Sequence, residues 1–189
     1  AVYIYYKSQG IFLRTKFFHN YAGVNGGAVL STENSPKDPS LFKDCLLRHN
    51  KAFGTGGAIH ATTGFTTVHV DTSVLDYNYA GDSGGAISGS NDAILVVDHS
   101  TIANNNASEH GGGIHAIGTS VTTHTTSVVD SVAGITGGGV SLTGDRSSGA
   151  FYSSIISRCN ATWYGGGVVA SNDVRQLTVE DGTFSHCHV

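Results

Sequence analysis

"HNYAGVNGGAV", residues 19–29, closes on two adjacent glycines, an alanine and a branched aliphatic. One glycine pair is an ordinary turn signal. The same shape returns as HNKAFGTGGAI at 49–59, YNYAGDSGGAI at 77–87 and NNNASEHGGGI at 104–114. It then recurs more loosely as DSVAGITGGGV at 130–140 and RCNATWYGGGV at 158–168. The stretch is one instance of a repeat, so its residues take their meaning from their columns.

The first glycines of the pairs are Gly26, Gly56, Gly84, Gly111, Gly137 and Gly165, separated by 30, 28, 27, 26 and 28 residues. Four places earlier stands Ala in every repeat: Ala22, Ala52, Ala80, Ala107, Ala133 and Ala161. Three places later stands Val or Ile throughout. Nine places earlier a large apolar residue recurs: Phe17, Leu47, Leu75, Ile102, Val128, Ile156 and, one repeat on, Phe184. Fourteen places earlier the column is mostly apolar, and eleven places earlier it is small, from Thr15 and Cys45 to Gly182.

Segments such as AILVVDHS (93–100) and VRQLTVED (174–181) alternate with period two and are rich in β-branched residues, as strands are. No helical stripe of useful length occurs. About three short strands per repeat are predicted. One repeat cannot bury its apolar side alone, but stacked repeats turn each column into a ladder through a continuous core. The expected fold is therefore all-β, a single-stranded parallel β-helix (a solenoid) of about seven coils of roughly 28 residues. It is expected to form one domain over residues 1–189, starting and ending mid-coil as a segment of a longer array.

Six places before each glycine pair the column reads Asn20, Asn50, Asn78, Asn105, then Ser131, Cys159 and Cys187. Its parity matches the Ala column, which predicts an inward Asn ladder bonding turn backbone and the next coil. Cys159 and Cys187 would stack about 5 Å apart, inside disulfide range. Two readings stay open there: a bridge, or two buried thiols continuing the ladder. Cys45 stands in another column and is expected to stay free.

The motifs GGAV at 26–29, GGAI at 56–59 and 84–87, and FFHN at 17–20 resemble the chlamydial polymorphic membrane protein repeat, with its paired GGA[IV] and FxxN signatures. LRHN, LDYN and IANN keep the Asn and replace the Phe, and the last repeats lose the Asn. The resemblance implies a right-handed β-helix exposed at a cell surface, of the adhesin or autotransporter-passenger kind. It specifies a fold more closely than a function.

Catalytic chemistry has one candidate column on an outer face: Lys43, Asp71, Asp98, His124 and Tyr152. Stacked carboxylates at Asp71 and Asp98 with His124 beyond would suit acid–base work on a polysaccharide, as in a pectin lyase-like β-helix. The blander reading is an ordinary solvated strand face. His19 and His49 share one column with no third ligand stacked on them, and His60 and His115 share another but lie two coils apart, too far for one ion, so no metal is expected and these rings read as outward polar residues; no cofactor is expected either. Thr-rich runs do not form the regular column that ice binding needs. The sequons NAS at Asn106 and NAT at Asn160 fall on an outward column and would accept N-glycans in a eukaryotic secretory protein.

Charged residues make up only 13 % of the chain and its net charge is −4, which gives no electrostatic reason to expect a nucleic-acid partner. No apolar run is long enough to insert into a bilayer. Much Gly, Ser, Thr and Asn with little charge points to an extracellular or cell-surface location. The leading expectation is a structural or adhesive filament-forming protein, not an enzyme, whose partners are itself, stacked head to tail, and surface glycans. The alternative is a carbohydrate-active or carbohydrate-binding β-helix.

Overall fold

The computed structural model describes residues 1–33 and 37–189. It is an all-β, right-handed parallel β-helix whose three main sheets have seven strands each, one from each successive coil, and whose fourth sheet has six. The first sheet runs from Val2–Tyr5 through Val29–Thr32 and Ile59–Thr62 to Val168–Ser171. The second runs from Ile11–Leu13 through Thr67–Asp71 and Ile94–Asp98 to Gln176–Glu180, and the third from Lys16–Phe18 to Thr183–Ser185. Pairing is in register by column: Val29 opposes Ile59, Ile59 opposes Ile87, and Ile87 opposes Ile114. Three strands per coil were expected, and the coil has four. The fourth is two residues long, as in Lys51–Ala52 and Tyr79–Ala80, and carries the Ala column.

The columns form the core. Leu47, Leu75, Ile102, Val128 and Ile156 are no more than 1 % exposed, whereas Phe184, in the outermost coil, is 45 % exposed. Each such side chain contributes about 1.5–3 kcal/mol when buried. Ala52, Ala80 and Ala107, on the short fourth strands, are buried.

The glycine pair has two separate causes. The first glycine has φ between 57° and 70° in all six coils, and a Cβ there would sit under 3.0 Å from a carbonyl of its own coil, that of Val29 for Gly26 and of Ile59 for Gly56. The second glycine faces the neighbouring coil. A Cβ on Gly27 would meet the Gly57 carbonyl, one on Gly57 that of Gly85, and one on Gly85 that of Gly112, each closer than 3.0 Å. Positive φ alone does not demand glycine. Two further corners per coil are left-handed with ordinary side chains, for example His19, His49 and Tyr77, and Arg14, Asp44 and Thr72. Their side chains project outward with space around them, and each backbone N–H still bonds the next coil, as His49 does to Asp76. Those bonds offset the roughly 1–2 kcal/mol that a left-handed L-residue costs.

Two ladders of polar side chains run through the corners. Asn50 and Asn78 are each 1 % exposed. Asn78 Oδ1 accepts from Asn50 N at 2.9 Å and from Asn50 Nδ2 at 3.0 Å, while Asn78 Nδ2 donates to Leu47 O and to Asn105 Oδ1, both at 3.0 Å. Asn20 and Asn105 extend the row at either side. The column eleven places before the glycines, which reads only as small in the sequence, is a second ladder. Ser73 Oγ accepts from Cys45 N at 2.9 Å, and Ser100 Oγ accepts from Ser73 N at 3.0 Å.

Candidate functional site

The outer-face column is assembled by register on the second sheet, where Asp71 opposes Asp98 and Asp98 opposes His124. Its members are tied to different neighbours. Lys43 Nζ lies 3.1 Å from Asp71 Oδ2, and His99 Nδ1 lies 3.5 Å from Asp71 Oδ1. Burial alone would raise the Asp71 pKa, but hydrogen bonds from Lys43, Thr72 and His99 and the Lys43 charge outweigh it, so the carboxyl is held below its ordinary value. His69 Nε2 lies 2.7 Å from Asp98 Oδ2. His124 stacks flat on Tyr152, with ring centroids 4.9 Å apart. An acid–base pair needs one carboxylic acid kept protonated near neutral pH. Asp71 is shifted the other way, and the column links coil to coil.

The first sheet holds what the columns alone did not show. His60 and His115 read as outward polar residues, yet they are 4 % and 7 % exposed. Their direction is outward, but the segment leading into each glycine pair folds back over them. Thr55 Oγ1 sits 2.9 Å from His60 Nδ1, and the His110 ring packs edge-on against His115 with centroids 5.8 Å apart. Ser88, in the coil between, is 2 % exposed. These residues floor a cleft of about 510 Å³ that Asn25, Asp82, Glu109 and Ile117 also line. Burial pushes the pKa of His60 down to about 4, and burial with the nearby His110 does the same to His115. Both rings are therefore neutral at pH 7. His115 is the unusual member: neither Nδ1 nor Nε2 has a hydrogen-bond partner among the described residues. A partial signal was present in the sequence, because Thr55 and His60, like His110 and His115, straddle a glycine pair five residues apart.

Among the described residues no group of three or more His, Cys, Asp or Glu could hold a metal ion. His19 and His49 stack face to face at 5.0 Å, and Tyr77 continues the stack at 5.3 Å. Cys159 and Cys187 are thiols in this structure, as is Cys45. No bridge joins them. Cys159 Sγ points to Val128 O at 3.6 Å and Cys187 Sγ to Ile156 O at 3.7 Å. These carbonyls stand in the column that accepts Asn78 Nδ2 at Leu47, so the thiols replace the Asn donors one for one. Burial raises the Cys159 thiol to about 12. Asn106 and Asn160 are both exposed, on the outer side of the short fourth sheet. Comparison of the chain with protein-family models, with curated proteins and with solved structures gives no match.

Proposed function

We propose that the chain is a non-catalytic structural and adhesive repeat protein of an extracellular surface or filament, built from the chlamydial polymorphic membrane protein type of repeat. The observation that carries this reading is where the outer-face charges go. Lys43 pairs with Asp71, Arg48 with Asp76 and Arg158 with Asp130, and the His69 ring lies at hydrogen-bond distance from Asp98, each across adjacent coils. These contacts tie neighbouring coils together, which supports a structural role for the outer face. The paired motifs GGA[IV] and FxxN support the repeat type, and exposed sequons at Asn106 and Asn160 are compatible with a glycosylated exterior.

Every sheet grows by the same parallel step, and a further coil of the same type would cover Phe184, which is 45 % exposed, with Leu177 at 44 % and Val179 at 42 %. Head-to-tail stacking between copies is the geometry this favours over a closed symmetric dimer. Negative-stain electron microscopy and sedimentation of the purified chain test it. Rods that lengthen with protein concentration are the expected result. A species that stays a monomer at every concentration, or measurable hydrolysis or lyase action on a polysaccharide panel, would refute it.

A further inference from the structure

We propose that the cleft floored by His60, Ser88 and His115 binds a neutral, hydroxyl-rich ligand, a segment of a glycan chain, with the His115 imidazole as its central polar contact. This deepens the adhesive reading above by giving it a site.

The first argument is that the fold does not require this imidazole. The same column holds Leu30 in an earlier coil and Val169 in the last, so the position accepts aliphatic side chains. At residue 115 it holds instead a ring that is 7 % exposed and has no partner for either nitrogen among the described residues. Buried polar groups are ordinarily bonded, and one that is not calls for a reason. A neutral imidazole offers one donor and one acceptor. Two neighbouring hydroxyl groups of a sugar ring supply the complementary acceptor and donor.

The second argument is the chemistry of the lining. Of the described residues around the cleft none is Lys or Arg, and Asp82 and Glu109 put negative charge at its edge. Phosphate, sulfate and nucleic acid are therefore disfavoured. Among the described residues Ile117 is the only large aliphatic one in the lining, so a lipid or a flat apolar molecule would find little surface. What remains is a row of hydrogen-bonding groups, Asn25, Thr55, Ser88 and Asn91 among them, beside two carboxylates that accept from hydroxyls. A cleft of about 510 Å³ is within the usual range of about 300–1,000 Å³ for small-ligand sites. It spans successive coils, which suits a chain ligand lying along the axis. Reaching His115 requires its neighbour to move: the His110 ring is edge-on to it and is held through Nδ1 to Thr136 Oγ1 at 2.8 Å. One hydrogen bond is a light restraint on that rotation.

The test uses the chain as it stands and the His115→Leu variant. Neutral oligomers of hexose and of N-acetylhexosamine are the probes, with sulfated and uronic-acid oligomers of equal length as counter-probes. Binding is read by calorimetry and by the ring-nitrogen NMR signals of His115 and His60. At least one neutral oligomer should bind and shift the His115 ring signals. H115L should weaken that binding at least tenfold while melting at the same temperature as the parent or higher. A purely structural role for His115 would leave affinity unchanged. The proposal falls if no neutral oligomer binds, if only the charged oligomers bind, or if H115L binds as well as the parent. Filament formation in microscopy is scored separately, so loss of the cleft proposal and loss of the surface-repeat reading give different results.

Discussion

Replacing Asn78 with Leu isolates the Asn ladder, because Leu matches Asn in shape and can make none of its bonds. Asn78 is 1 % exposed and its amide takes part in four hydrogen bonds of 2.9–3.0 Å. The losses are unequal. Asn50 Nδ2 keeps Phe17 O at 2.9 Å, and Asn105 Oδ1 keeps the Asn78 N–H at 2.9 Å. The backbone N–H of Asn50 loses its acceptor, and an orphaned buried donor costs about 1–3 kcal/mol. The remaining bonds are worth about 1 kcal/mol each, partly offset by burying an aliphatic side chain. The expected loss is about 2–3 kcal/mol. At a urea dependence of about 2 kcal/mol per molar, the unfolding midpoint should fall by about 1 M. Amide exchange at Asn50 should quicken more than at Asn105, whose own N–H bonds Ser131 Oγ at 3.4 Å.

Asn78→Ser is the graded control. The column already holds Ser131, which accepts a backbone N–H from the preceding coil. Serine at 78 should therefore keep a weak acceptor for Asn50 and lose only about 1 kcal/mol. The reasoning is refuted if the Leu variant unfolds at the parent midpoint, or if Leu and Ser cost the same.

Three further outcomes follow from the same geometry. His60 and His115 each titrate near 4 in the fold, below the ordinary value of 6.5, so above about pH 6.5 they leave stability untouched. As pH falls towards 4 the unfolded chain takes up protons first, and stability should drop by up to roughly 3 kcal/mol per ring; a His60→Leu/His115→Leu double variant with unchanged acid sensitivity would contradict this. Gly57→Ala should cost about 3 kcal/mol because its Cβ meets the Gly85 carbonyl, whereas Gly118→Ala, with φ of 57° and nothing within 4 Å, should cost only about 1–2 kcal/mol in thermal unfolding. Iodoacetamide at pH 8 should label Cys187, which is half-buried, well before Cys159, whose thiol is buried and raised to about 12; equal rates would show that the last coil opens.

The parts of this fold that were legible in the sequence are those where a residue's chief neighbour is its own column. Stacking makes Leu47 pack on Leu75 and Asn50 bond Asn78, so identity down a column reports the contact directly. The Asp71–Asp98 column was legible for the same reason, although its chemistry was not. The sequence places the two carboxylates in one column but does not show their separate partners: Lys43 of the preceding coil for Asp71, and the His69 ring for Asp98. The cleft was illegible because it rests on contacts within a coil. Parity places His60 and His115 outward, and it is correct about their direction. It has no means of showing that Gly56 and Gly111, at φ of 68° and 63°, turn the chain so that Thr55 and His110 cover those rings. The glycine pair therefore does two things. Its second member lets coils stack at close range, which the repeat announces. Its first member folds a polar rim over a strand face, and at residue 115, where that face carries an imidazole, both ring nitrogens are buried without a partner among the described residues. The regular part of the repeat thus specifies the scaffold, whereas the column that reads Leu30, His60, Ser88, His115, Ser141 and Val169 varies, and the contacts at residues 60 and 115 follow from the turn within each coil.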